Sequence, residues 1–387
     1  MKTRIFILLL LSFALFVPAQ KSGVGTKYKS EKTSVKNDYG YEVTQWTTSG
    51  RNWHLYFNIE SFVDNDHFII FSERAGKINL FLVDMPTGEM TQMTDEQKLQ
   101  QEIWHLPKYK TLWFMNGDEL KSLNTETFKT ESVFTFKELK PESFAVTCDK
   151  KYFVFAANKN PGFSKNHSTG PYALFRLDLA TKEVKQISPD LGFIIGHVQT
   201  NPVNPEIISF CWQHRYLKDS PGIVGFPPFR MWWNNIEGTD GGAIGPQEFG
   251  LHRTHEFWFP DGSKMGYSAR YKFGPNNGKQ FIGITSLDGK ENVMFPANVS
   301  SAHNQIFKDN KHWISDLYDG PFLVLFTVDK DTMLESKILF KHESTMEGQP
   351  SHPHPHFSPD GKYILFSTDR TGKPEVYTVK VNLQDSK

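Results

Sequence analysis

The chain has 387 residues with 43 basic and 43 acidic side chains, so its formal net charge is zero and no block of like charges stands out to read nucleic-acid phosphates. Aromatic residues make up 14% of it, 33 of them Phe, and the apolar residues come in short runs broken by Gly, Pro, Asn and Asp, the pattern of an all-β fold with many short strands. The length is large for one ordinary domain but usual for a ring of repeated units.

Residues 1–20 read as a secretory signal: Lys2 and Arg4 form a positive start, Ile5 to Phe16 is apolar except for Ser12, and Val17-Pro18-Ala19 supplies a small-residue exit. The apolar run is too short for a comfortable membrane span, and no Cys follows it to carry a lipid. The expectation is an exported protein, periplasmic or secreted, with no membrane contact after cleavage. Its two cysteines, Cys148 and Cys211, do not make a disulfide scaffold and are expected to be free.

Residues 21–40 read as a polar linker, and residues 41–387 as one domain. Tyr41 to Thr48 alternates like a strand but has no partner nearby in sequence. A unit then begins at NWHLYFNIE: an approach strand, a turn, a buried strand (HFIIFSER), a tight turn, a further strand (INLFLVDM) and a short outer strand. It recurs from EIWHLPKYKTLWF, SFAVTCDKKYFVF, GHVQTNPVNPEIISF, THEFWFPDGSKMGYS, AHNQIFKDNKHWIS and finally QPSHPHPHFSPDGKYILFS, at intervals of roughly 40 to 58 residues. Seven such units predict a seven-bladed β-propeller. The last unit is short of an outer strand, which Tyr41 to Thr48 can supply, closing the ring and removing an exposed edge.

In register, His54, His105, His197, His255, His303 and His352 all precede the central strand of their unit. The approach strand of a propeller lines the axial channel, so these side chains are aimed at one funnel. Any one of them can instead cap a turn or satisfy a carbonyl. The final unit is denser in ligand chemistry: Gln349, His352, His354 and His356 lie in a short extended stretch, where alternation places the histidines on one side. Imidazoles suit Zn, Mn, Fe or Ni, and an added amide oxygen leans the set toward Mn. His356, nearest the turn, is read as structural.

The combination of THEFW with Asp261-Gly262-Ser263, a later AHN, and QPSHPHPHFSPDG resembles the oligogalacturonate lyases, polysaccharide lyases built on a seven-bladed propeller with a manganese site. The resemblance implies His303, Gln349, His352 and His354 as ligands of Mn, His255 as the base, and Arg230, in the R-M-W context, as the carboxylate-side cation. It further implies cleavage of a uronate-containing glycan, chiefly pectin-derived oligogalacturonides, by β-elimination to a 4,5-unsaturated sugar. The partner is then an acidic oligosaccharide.

Two departures bear on substrate. The chain carries an export signal, and CWQHRYLKDSPGIVGFPPFRMWW replaces the family's acidic run before the arginine, followed by a Gly-rich loop from Gly238 to Gly250. These leave room for another uronate polymer of ulvan or glucuronan type, with His197, His214, Arg215 and Tyr216 as candidate subsite residues. A second alternative is a non-catalytic binding propeller, because FSPDGKYILFSTDRTG also resembles the TolB-like repeat, a motif that specifies blades more than chemistry.

Overall fold

The structure is a computed structural model, described here for residues 22–160, 171–213 and 229–383 except 246, 249, 298–300, 318–319 and 330–331. The expected signal therefore lies outside the described residues, as do His214, Arg215 and Tyr216. Seven antiparallel sheets follow one another along the chain, which makes a seven-bladed β-propeller. The innermost strands, in blade order, are Asn52–His54, Leu99–Leu106, Ser143–Val146, Ile194–Thr200, Leu251–Trp258, Ser301–Ile306 and His356–Phe357.

The central strands are apolar on both faces because both faces are covered. Tyr152–Asn158 of blade 3 shows this: Phe153 and Phe155 pack toward Trp113 and Met115 of blade 2, while Val154 and Ala156 pack toward Ile194 and Ile208 of blade 4. One hydrophobic cluster fills each of the seven gaps between neighbouring blades. Alternate side chains of one strand thus belong to different cores. The turn before the central strand recurs with a left-handed residue at its end: Lys150, Gly262, Asn310 and Gly361 have φ of 62°, 69°, 58° and 72°. Glycine is required at 361, where a Cβ would come within 2.8 Å of the Phe307 ring.

Ring closure follows the expectation and extends it. Glu42–Gln45 pairs with Glu375–Lys380 of the last blade, with Thr44 opposite Thr378. The stretch 21–40 is more than a linker. Lys27–Tyr28 adds to the outer edge of blade 1 and Thr33–Lys36 to the outer edge of blade 7, so the chain stitches both blades before entering the first inner strand. Its polar composition hid this because edge strands bury few side chains; all of Thr33–Lys36 is exposed.

Trp46 directly follows the closing strand. It is buried, its Nε1 donates to Thr378 Oγ1 at 3.0 Å, and its ring meets Phe68 of blade 1 edge-on at 5.6 Å. Trp46→Ala should cost about 3–5 kcal/mol in urea unfolding while leaving metal binding intact. A loss below about 1 kcal/mol, well under that range, would show that closure does not depend on this contact.

Candidate metal centre and its catalytic neighbours

The innermost strands of blades 4, 5 and 6 each break register: between Gly196 and Gln199, between Thr254 and Phe257, and between Ser301 and Asn304. The inserted residues include His197, His255 and His303. A β-bulge bends the strand and re-aims a side chain. His197 and His255 sit at φ of 48° and 52°, and His354 at 45°, a conformation that L-residues other than glycine seldom adopt. Such strain persists where the surrounding packing fixes it, and it gathers at functional sites.

These bulges bring the rings together. His303 lies 4.3 Å from His354, 5.3 Å from His352 and 4.2 Å from His255 between ring centroids. His197 lies 6.5 Å from His255. One ligand atom each from His303, His352 and His354 falls within 4.8 Å of the others. The rings of His303 and His352 are oriented from behind. Asp316, fully buried, accepts a hydrogen bond from Nδ1–H of His303 at 2.9 Å and another from its backbone N–H, which turns Nε2 of His303 forward. His352 uses Nε2 toward the Met346 carbonyl at 3.0 Å, leaving Nδ1 buried with no partner among the described residues. Nε2 of His354 is buried and likewise without one.

Burial lowers the pKa of His352, His354 and His255, and neighbouring histidines add to the effect; His255 and His354 are shifted well below the ordinary value. A group of neutral imidazoles with lone pairs facing one another fits a divalent cation, and the carboxylate behind His303 is the arrangement that orients metal-bound histidines. Gln349 is exposed on the 3-10 turn Gln349–Ser351 and lines the same cavity as His354.

Alternation along a strand is not what joins His352 to His354. Only His356–Phe357 of that stretch pairs as a strand, and the left-handed turn at His354 sends His356 away from the cluster. His356 is buried against Glu60 at 2.9 Å and Gln305 at 2.8 Å, the structural role expected of it. Two more histidines of the register are also structural. His54 bonds Ser367 at 2.7 Å and the His354 carbonyl at 2.7 Å, with burial holding its pKa down to about 3; His105 bonds the Glu60 carbonyl at 2.8 Å.

Arg230 is buried beside the cluster on the blade 4 side. Its Nε lies 3.4 Å from Oε2 of Glu256, whose Oε1 lies 3.2 Å from Nδ1 of His197. Arg230 and His197 hold the Glu256 carboxyl far below its usual range against the opposing effect of burial. Sequence reasoning passed over Glu256 and Asp316. The available signal for Glu256 was its place directly after His255, at the position where the bulge lets consecutive side chains both face inward. Tyr56 and Phe57 were also missed. They follow the first inner strand and pack against the cluster, with Tyr56 4.7 Å from His354 and Phe57 5.3 Å from His303. Cys211 is buried near Glu256 and His197, and both cysteines are free.

The model of the family described as oligogalacturonate lyase matches residues 27–386. An oligogalacturonide lyase from Pectobacterium atrosepticum is 30% identical over 237 residues, covering 57% of this chain and 58% of that protein; an oligogalacturonate lyase from Dickeya dadantii is 27% identical with the same coverage. The alignments thus span under two thirds of these curated relatives. Among solved structures, an oligogalacturonate lyase from Vibrio parahaemolyticus superposes with a TM-score of 0.81 at 21% identity, covering 93% of this chain and 99% of that one. An oligogalacturonate lyase in complex with manganese superposes equally well at 23% identity, covering 94% and 99%. With a family match that runs from the first paired strand to the end of the ring, the chain belongs to the oligogalacturonate lyase family.

Proposed function

We propose that this protein is a metal-dependent lyase that cleaves uronate-containing oligosaccharides, oligogalacturonides in the first place, by β-elimination. The observation that carries the reading is the adjacency of a neutral histidine, His255, to the buried set His303, His352 and His354, with the Arg230 guanidinium held nearby. The residues fit a divalent ion of the Mn type, held by His303, His352 and His354 with Gln349 as a fourth donor. The solved relative in complex with manganese supports the same choice. When bound, such an ion withdraws charge from the uronate carboxylate and so acidifies the adjacent C–H.

The chain's own residues supply the rest. His255, kept neutral by burial, accepts the C5 proton at a ring nitrogen. Arg230 presents a charge that cannot be lost at neutral pH, and its planar guanidinium suits a carboxylate. The electron pair left at C5 forms the C4–C5 double bond as the C4–O4 bond breaks, and the departing O4 oxygen takes up a proton from solvent. Glu256 keeps Arg230 in place from the side away from substrate. The rings of Tyr56 and Phe57 pack against His354 and His303 and present an apolar wall to the site. Export from the cytoplasm belongs to the proposal, supported by the three-part pattern of residues 1–20.

His255→Ala should lower turnover of unsaturated product, read as ultraviolet absorbance, by about 10²–10⁴-fold with metal content unchanged. Full activity in that variant would remove His255 from the reaction. Chelation should abolish turnover, and Mn should restore it together with a higher melting temperature, because a ligand that binds only the folded state stabilises it. A chelated enzyme of undiminished activity would overturn the metal assignment. Asp316→Asn should weaken metal binding by about 10–100-fold, measured by titration with a competing chelator. An unchanged affinity would mean that His303 is not a ligand.

A further inference from the structure

The inner strand of blade 2 breaks register as those of blades 4 to 6 do, between Leu99 and Ile103. The residues freed by this bulge include Gln101 and Glu102, and both open into a cavity of about 300 Å³ that also reaches His197, Gln349 and His354. Blade 2 lies as nearly across the axis from blade 5, which carries His255, as a ring of seven allows. Glu102 is placed by blade 3. Its Oε1 accepts from the Phe144 backbone N–H at 3.4 Å, and the Ser143 hydroxyl, which itself accepts from the Val198 N–H at 3.0 Å, keeps its proton for the same carboxyl. The cavity walls keep enough water away to raise the pKa of this carboxyl, against the opposing effects of Ser143, His197 and the Phe144 N–H. The other ionisable groups lining the cavity are His54, Tyr56, Glu142, His197 and His354. The space is also fitted for a polar occupant: Nε1 of Trp104 and Oδ1 of Asn58 are buried at it with no partner among the described residues.

In the chair form of a galacturonate the C5–H and C4–O4 bonds are axial and point to opposite faces of the ring. A base that takes the C5 proton on one face therefore calls for a proton donor on the other, and a residue beside His255 cannot serve. We propose that Glu102 is this donor, facing the departing O4 oxygen from the side of the sugar opposite His255. The inference rests on the lyase reading and completes its proton balance. As the C5 proton passes to His255, the C5–H electron pair becomes the C4–C5 double bond and the C4–O4 pair goes to O4. The Glu102 O–H bond breaks and its proton joins O4. The carboxylate left on Glu102 then regains a proton from water, so solvent remains the source. A carboxyl that is neutral when substrate arrives also sets no like charge against a chain of consecutive uronates.

The test varies the leaving group. Glu102→Gln in the Mn-loaded enzyme should lower release of unsaturated sugar from digalacturonate by about 10²–10⁴-fold. Fluoride departs as a stable anion and needs no proton, so its release from the methyl glycoside of 4-deoxy-4-fluorogalacturonate should stay within about threefold of the unaltered enzyme. Glu102→Asp keeps a carboxyl and should lose less on digalacturonate than Glu102→Gln. Glu142→Gln, in the same cavity, should spare both substrates. Melting temperature and metal content report that each variant is folded. The proposal is overturned if Glu102→Gln keeps full turnover of digalacturonate, if it loses both substrates to the same extent, or if Glu142→Gln discriminates between them in the same way. Absence of unsaturated product from both substrates with the unaltered enzyme would reject the lyase reading and the donor role with it, whereas the other outcomes reject the donor role alone.

Discussion

The constraint on which the structure depends is that no blade can bury both of its faces alone. Each central strand sends alternate side chains into two different inter-blade cores, so a blade without two neighbours leaves half of its aromatic surface in water. The only arrangement that satisfies all of them is a closed ring, and the stitching of residues 27–45 across blades 1 and 7 completes it. Closure then has a chemical consequence. Seven inner strands must converge on one axis, so residues hundreds of positions apart in sequence, such as Tyr56 and His354, come within ring contact without local structure bringing them there.

Within that frame the site is made by departures from regular strand geometry. Regular inner strands would alternate side chains between the two adjacent cores. The bulges in blades 4, 5 and 6 free His197, His255 and His303 from that alternation, and left-handed backbone at His197, His255 and His354 completes the turn toward the axis. Backbone strain and buried carboxylates both cost stability, and the surrounding cores offset them. Asp316 and Glu256 are the two carboxylates most deeply involved, and they do different work. Asp316 fixes a tautomer and orients a ring; Glu256 balances the charge of Arg230 so that a guanidinium can be kept out of water.

The fold was legible because its repeat is carried by short-range chemistry. Apolar runs of strand length, a polar turn before each and a histidine at a fixed offset are all visible along the chain, and the missing outer strand of the last unit called for a partner elsewhere. The sites were legible to the extent that sequence neighbours supply them: Gln349, His352 and His354 share one stretch. Alternation nevertheless assigned the wrong cause, because His354 adopts a left-handed turn and His356 points to Glu60. Asp316 had no short-range mark, and Glu256 had only its place directly after His255. Each matters through a partner on another strand or another blade, and a single sequence does not show which inner strand carries a bulge. The short strands at 27–28 and 33–36 were missed for a related reason: edge pairing uses backbone groups and leaves polar side chains in solvent.

The cluster also shows why these histidines have to be held rigidly. Imidazoles buried this closely cannot ionise together, since burial and mutual repulsion both oppose charge, so the set presents several uncompensated acceptors in a small volume. Protein groups behind the rings cannot relieve this, because their bonds are already committed to the outward nitrogens: Asp316 to His303 and the Met346 carbonyl to His352. What relieves it is positive charge on the axis. The same requirement explains the placement of Arg230, whose charge is partly balanced by Glu256 on its far side. That side of the funnel therefore carries unprotonated imidazoles and one arginine paired from behind.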